Sequence, residues 1–258
     1  LKYINGTKTQ TNFNIMTIFS LEPRIAIPTS RIEENINKFS NALTVRVAND
    51  TILDTSSGLI GNRSVIHKFG VCNHTNNNTE NVIQNSPKPY EGLLLNSDYV
   101  QIISDNNEDS INGNGARNIM VDGLNENWEE ISELIIPRGI KKSLSTTNKF
   151  IRIHQAFVVD TGTYSNGIDG SNIGNITIQT KSNILLAYIN STQGSSLLSI
   201  YTIPVNKTGY LTSFSASSEN VNTNISLYTR ENSDDIEKPF SSRRLRHIFN
   251  NITEYKLV

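Results

Sequence analysis

The side chains best suited to acid–base chemistry are the carboxylates of Glu129, Glu130 and Glu133 in one stretch and of Asp105 and Asp109 in another. Two such carboxylates, brought together, can hydrolyse a glycosidic bond. The sequence around them predicts instead that the glutamates lie on a strand face and the aspartates at a hairpin tip, where solvation is the simpler role. Motifs for a serine nucleophile, a zinc protease or a phosphate loop are missing from the sequence. We therefore predict a protein that is not an enzyme, with no catalytic residues.

Residues 105–110 also carry oxygen donors at their first, third and fifth positions, as a calcium loop does. Ser110 stands where an EF-hand has its sharp-turn glycine and Ala116 where it has its bidentate glutamate, so an EF-hand is excluded. A calcium site of another kind and a plain acidic hairpin tip are the remaining alternatives. His67 has no second His or Cys at ligand spacing, and Cys72 is the single cysteine. We predict no metal site, no cofactor and no internal disulfide.

Four tyrosines are predicted to lie near loops: Tyr90, Tyr99, Tyr164 and Tyr228. Exposed aromatic rings beside Asn and Asp side chains are typical of carbohydrate-binding sites. Tyrosines at strand ends are also common packing residues that keep one end in water, so both interpretations stay open.

A basic run near the C-terminus contains Arg243, Arg244, Arg246 and His247. Nucleic-acid binding would need a wider positive field and an aromatic platform, whereas the formal net charge of the chain is −1. We predict a solvated or interface strand edge, because charged side chains also discourage unwanted pairing of edge strands. Neither nucleic acid nor a membrane surface is expected as a partner.

The elements that would position these side chains are strands. Residues 99–103, 116–121 and 150–159 are rich in branched and aromatic side chains and are separated by turn-forming residues. Residues 127–135 are ambiguous, because a capping box at Asn127 and apolar residues at helical spacing also suit a helix. Pro137 would end that helix after barely two turns, so we predict a strand over 129–136.

Further predicted strands follow at regular spacing, which indicates a sandwich or barrel. They cover residues 43–47, 64–70, 175–179, 184–189, 197–203, 210–215 and 224–228, with a hairpin turn at 206–209 and a long polar loop at 72–89. The predicted fold class is therefore all-β, an antiparallel β-sandwich of jelly-roll-like type with an irregular N-terminal arm.

Domain organisation follows from the same pattern in the 258 residues. Residues 1–40 are predicted to be an arm or strap with one short helix at 30–39, and residues 41–258 a single β-sandwich domain. A division into two β subdomains near 161–174 is the alternative. No apolar run has the length of a membrane span, and residues 1–30 lack the order of a secretion signal. The first residue is Leu1 rather than Met, which suggests a processed or incomplete start.

Several phrases of the sequence occur together in a recognisable order. They are IHKFG at 66–70, GARNIMVDGL at 115–124, WEEISE at 128–133, NKFIR at 148–152, GSNIGNITI at 170–178 and YTIPVNKTGYLTS at 201–213. In this order they resemble virion structural proteins of tailed marine bacteriophages, including those of cyanobacteria. The resemblance spans about residues 61–230 and leaves the first sixty and last twenty residues largely outside.

The resemblance implies a non-enzymatic structural protein of the virion. Its expected partners are other copies of itself, most simply in a homotrimer, and neighbouring capsid or tail proteins. A capsid-associated position, as a decoration or fibre-base protein, is the first expectation. The alternative is a tail or receptor-binding protein whose β-sandwich binds a host surface glycan.

Overall fold

The fold is described from a computed structural model, which describes residues 51–72, 81–162, 171–218, 224–230 and 244–249, and the backbone of 254–257. The chain divides into two compact units, Leu1–Val65 and Ile66–Val258. The described part of the first unit contains a short helix, α1 (Thr51–Ser56), which ends in a turn with Gly58 at φ 75°. The predicted arm at 1–40, its helix at 30–39 and the predicted strand at 43–47 lie outside the described residues.

The second unit is built from antiparallel strands. They are β1 (Asp98–Ser104), β2 (Ala116–Leu124), β3 (Glu130–Ile135), β4 (Lys149–Phe150), β5 (Arg152–Thr161), β6 (Ile176–Thr180), β7 (Leu185–Ile189), β8 (Phe214–Ser217), β9 (Ile225–Thr229), β10 (Arg244–Phe249) and β11 (Glu254–Leu257). The predicted all-β, antiparallel, sandwich-like fold class is confirmed.

Two sheets surround one core. The first has the strand order β4-β1-β6-β7 and the second β3-β2-β5, while β10 pairs with β9 and β11 with β8 in separate ribbons. Because β1 pairs with β6 from Val100 to Ser104, residues on both sides of 161–174 belong to the same sheet.

The core follows from period-two alternation, which directs every second side chain of a strand to one face. In β1 the buried residues are Val100, Ile102 and Ser104. One hydrophobic cluster joins these apolar side chains to residues of the second sheet. Its fully buried members include Val100, Ile102, Ile119, Val121, Leu124, Phe150, Ile176, Ile178 and Ile189.

The ambiguous stretch at 127–135 forms a hairpin and a strand, so the strand prediction is confirmed. Asn125 organises the turn, because its Oδ1 accepts hydrogen bonds from the backbone N–H groups of Asn127 and Glu129 at 2.8 and 3.0 Å. The backbone N–H of Trp128 donates to the Asn125 carbonyl at 3.0 Å. Asn127 therefore caps no helix, and β3 pairs with β2 from Glu130 to Ile135.

Three predicted strands are wrong in whole or in part. Residues 64–70 and 197–203 form no strand, and the strand predicted at 210–215 begins only at Phe214. The hairpin predicted around 206–209 keeps its turn, in which Lys207 N–H donates to the Pro204 carbonyl, but lacks its two strands. Apolar residues that alternate in sequence need a neighbouring sheet face, and here Phe69, Tyr210 and Leu211 remain exposed.

Segment 195–205 is instead attached to the second sheet by single hydrogen bonds. Ser196 N–H donates to the Ala156 carbonyl, and the Ser196 hydroxyl accepts the Ala156 N–H, each at 2.8 Å. Val205 N–H donates to the Trp128 carbonyl at 2.9 Å. These bonds fix the course of the segment without a regular ladder.

Candidate functional site

The carboxylates on and beside β3 hold separate loops. Glu133 accepts hydrogen bonds from the backbone N–H groups of Thr147 and Asn148 and from the Asn148 side-chain amide. Glu129 accepts from the Asn125 side chain at 3.0 Å, and Glu130 from the Tyr201 hydroxyl at 3.3 Å. Glu129 and Glu130 are exposed, as the sequence predicted.

Asp109 differs from its prediction as a solvated hairpin-tip residue, because its side chain is 0% exposed. Its Oδ1 accepts the backbone N–H groups of Ala116 and Ile173, both at 2.9 Å. Its Oδ2 accepts the Ser104 hydroxyl at 2.6 Å and the Gly174 N–H at 2.8 Å. The carboxylate thus joins the loop between β1 and β2 to the turn before β6, an arrangement that we call the Asp109 clamp.

The Asp109 clamp explains the glycine at position 115. A Cβ atom on Gly115 would lie 2.2 Å from Asp109 Oδ1, so only glycine allows this close approach. Asp105 is exposed and accepts hydrogen bonds from Asn175 N–H and its side-chain amide, both at 2.8 Å. In the part of the chain that the structure describes, no three His, Cys, Asp or Glu side chains are grouped to hold a metal ion.

The tyrosines selected from the sequence do not form one site. Tyr90 is buried, and burial raises the pKa of its phenol to about 12, so the packing interpretation applies to this tyrosine. Tyr99 is half-buried with the Lys149 ammonium 5.5 Å from its ring centroid, and Tyr228 is half-buried on β9. Tyr164 lies outside the described residues.

The basic run near the C-terminus lies on β10, which pairs with β9. Arg244, Arg246 and His247 are exposed, and Arg246 Nε donates to the Thr229 hydroxyl at 2.7 Å. Their exposure agrees with a charged strand edge. Arg243 lies outside the described residues.

A group of ionisable side chains that the sequence did not single out connects β5 to segment 195–205. His154 is buried, and its Nε2 accepts the backbone N–H of Thr202 at 3.3 Å, while its ring lies 4.2 Å from that of Tyr201. Lys68 donates from its ammonium to the His154 carbonyl. We call Lys68, His154 and Tyr201 the His154 cluster.

Burial sets the charge states in the His154 cluster. Desolvation, reinforced by the Lys68 charge, lowers the pKa of His154 to about 4, so the imidazole is neutral at pH 7 and can accept a hydrogen bond. Desolvation also lowers the pKa of Lys68 to about 8, against the opposing effect of Asp122. Burial and the Glu130 carboxylate raise the pKa of Tyr201 to about 12, so its phenol donates as a neutral group.

An open groove of about 470 Å³ lies beside β4, at the turn between β2 and β3. Leu94, Leu95, Asn96 and Ser97 line one side, Glu126 and Trp128 come from the turn, and Lys149 and Ile151 complete the lining. The Ser97 hydroxyl donates to Glu126 Oε2 at 3.3 Å, which connects two of these segments. We call this feature the Trp128 groove.

Trp128 is held in the groove by its backbone and by Arg152. Its φ of 63° lies in the left-handed region, which a bulky side chain rarely adopts. The Arg152 guanidinium carbon lies 5.0 Å from the indole centroid, and Nη1 donates to the carbonyls of Leu94 and Ile151 at 3.0 and 2.7 Å. Arg152 is buried, and desolvation is the largest of the effects that lower the pKa of its guanidinium. In the sequence, the one sign of this site is that residue 128 is a tryptophan.

The fold and these sites define an antiparallel β-sandwich protein with a buried carboxylate clamp and an aromatic groove. Comparison with family models, with curated proteins and with solved structures finds no match to this chain. Among the described residues, no helix has the length and apolar character that crossing a membrane requires.

Proposed function

We propose that the chain is a non-enzymatic structural protein of a virus particle, a capsid-associated decoration or fibre-base protein that acts through contacts between subunits. Two lines of support combine. The ordered phrases at 66–213 resemble virion proteins of tailed bacteriophages. The all-β antiparallel sandwich is a scaffold that places many loops at its ends for contacts with neighbours.

The observation that carries the proposal is the apolar exposure of segment 203–211. Tyr210 is 84% and Leu211 63% exposed, and Ile203 and Val205 are 44% and 43% exposed. Apolar side chains clustered in this way on a surface segment mark an interaction site, because their exposure to water is unfavourable. The neighbouring hydrogen bonds to His154 and Trp128 hold the start of the segment in place. It would thus present these side chains to a second copy of the chain.

A symmetric assembly provides the mechanism. Each subunit would bury Tyr210 and Leu211 against its neighbour, and closed symmetry would repeat that contact around a trimer. Glu130 accepts the hydroxyl of Tyr201, which lies just before the segment, and so helps to fix where the segment starts.

The first experiment measures assembly in solution. Sedimentation velocity of the wild-type chain should give a trimer, whereas the double substitution Tyr210→Ser with Leu211→Ser should give monomers. Leu144→Ser is the matched control, because Leu144 is 75% exposed but lies outside the segment. An unchanged trimer in the double variant would remove segment 203–211 from the interface.

The second experiment locates the protein. Gold labelling of intact particles of the source virus, with antibodies to the purified protein, should decorate the head. Label confined to the tail would favour the tail or receptor-binding alternative. If blots of denatured particles contain none of the protein, the virion proposal itself is wrong.

A further inference from the structure

We propose that the Trp128 groove is a binding site for a neutral hexose oligosaccharide. This inference concerns a ligand of the folded subunit and is independent of where the protein lies in a particle. It rests on the shape of the groove, the chemistry of its lining and the backbone conformation of Trp128.

The dimensions suit a small ligand. A volume of about 470 Å³ falls within the range of known ligand sites, and the groove is open enough for a chain to extend beyond it. Three separate segments converge on it, the stretch before β1, the β2–β3 turn and β4. Ser97 and Glu126 already bridge two of them, so the walls are set before a ligand arrives.

The lining combines an aromatic surface with hydrogen-bonding groups of both kinds. A sugar ring has an apolar C–H face that stacks on an indole and a rim of hydroxyls that both donate and accept hydrogen bonds. Glu126 can accept from such hydroxyls, Lys149 can donate to them, and Asn96 can do both. Glu126 and Lys149 both line the groove, so residues of both charge signs border it and neither an anionic nor a cationic ligand is favoured. A neutral polyhydroxyl ligand suits such a mixed lining.

The conformation of Trp128 indicates that its position matters. Of the other described non-glycine residues at positive φ, Asn62, Asn183 and Asn206 are of a type that adopts this region readily, whereas Thr192, like Trp128, is not. A bulky indole there is strained, and strained residues cluster at binding sites. Trp128 is half-buried, because Arg152 lies over one face of its ring and the side chain also packs against the hydrophobic core. A ligand would meet the part of the indole that lines the groove.

Trp128 is the single tryptophan of the chain, so its fluorescence reports this groove directly. Purified full-length protein would be titrated with hexasaccharides of glucose, galactose and mannose up to millimolar concentration, with calorimetry in parallel. At least one probe should shift the emission of Trp128 and saturate. A hexasaccharide of uronic acid, titrated in the same way, should bind more weakly.

Two variants test the site. Trp128→Gly removes the indole and suits the positive φ, and calorimetry should show binding weaker by about tenfold or more. Asn96→Ala keeps the fluorescent residue and should weaken binding measurably while the emission of the free protein stays unchanged. Leu144→Ala, which removes an exposed side chain outside both the groove and segment 203–211, should bind as the wild type does.

Each outcome of the titrations either supports or overturns the proposed saccharide site. If no neutral probe binds, if both groove variants bind as well as the wild type, or if the uronic acid probe binds best, the proposal is overturned. Because the assay uses the isolated protein, its failure leaves the proposed virion role untouched. Conversely, saccharide binding by a protein that is absent from particles would support the groove alone.

Discussion

The substitution Asp109→Asn tests whether the buried carboxylate holds the sandwich together. An asparagine of nearly the same shape keeps one oxygen acceptor but replaces the other with an N–H donor. Asp109 accepts four hydrogen bonds, two on each oxygen. Whichever way the amide is turned, two of the four donors would therefore face another donor inside the protein.

The magnitude follows from those two lost acceptor contacts. Each buried donor left without a partner costs about 1–3 kcal/mol, so the pair costs about 2–6 kcal/mol. The lower value applies if the amide presents its nitrogen to the Ser104 hydroxyl, which can rotate and accept instead. Against a typical stability of about 5–15 kcal/mol, the loss is large.

Urea unfolding followed by the β-sheet circular dichroism signal measures this effect. The midpoint should fall strongly for Asp109→Asn with an unchanged slope, which reports the surface exposed on unfolding. Asp105→Asn is the matched control, because Asp105 is exposed and its hydrogen bonds to Asn175 compete with water. Equal midpoints for the two variants, or a loss under about 1 kcal/mol in Asp109→Asn, would refute the reasoning.

Two further predictions concern the His154 cluster and the pairing of β2 with β5. Stability should decline as the pH falls from 6.5 toward 4, by up to about 1.4 kcal/mol per pH unit, because the unfolded chain protonates its histidine before the folded one does. His154→Gln, which keeps an acceptor for Thr202 N–H, should flatten this acid limb in urea titrations, and an unchanged limb would contradict the assignment. Gly123→Ala should cost about 1–3 kcal/mol, since its Cβ would lie 2.1 Å from the Arg152 carbonyl oxygen. Gly61→Ala, with nothing within 4 Å of its Cβ, is the control, and equal unfolding midpoints would disprove the steric argument.

The central strands could be predicted because apolar and polar residues alternate along them in the sequence. In β1 and β2 every second residue over most of the strand faces the core, and β-branched side chains favour that environment. The strand at β3 was predicted for a similar reason, since Pro137 leaves too little room for a stable helix. Such signals depend only on residues close together in the sequence.

The predictions of strands at 64–70 and 197–203 are wrong because alternating apolar residues indicate only that a strand is possible. A ladder needs a neighbouring edge with free N–H and C=O groups. Here the Ser196 hydroxyl accepts the Ala156 N–H of β5, and the His154 imidazole on β5 accepts the Thr202 N–H, so side chains supply acceptors for these backbone N–H groups. Those partners lie about forty or more residues apart along the chain, so no local sequence pattern predicts the contacts.

The candidate sites could not be predicted for the same reason, because the residues that form them are far apart in the sequence. Asp109 looks like part of an acidic turn, and its burial arises only when residues 173–174, more than sixty positions later, bring their N–H groups to it. For Tyr90 the sequence allowed both an exposed and a packed position, and the fold encloses it. The Trp128 groove combines segments before β1, after β2 and at β4, which the sequence places far apart.

Two kinds of residue outside the apolar core therefore have different roles in this fold. Asp109, Ser196 and His154 are buried and satisfy backbone groups, so their replacement should lower stability whatever the protein binds. Tyr210, Leu211 and Lys149 are exposed and contribute little to the core, so their replacement should leave folding intact. A variant of the second kind that loses assembly or ligand binding at unchanged stability thus reports function directly.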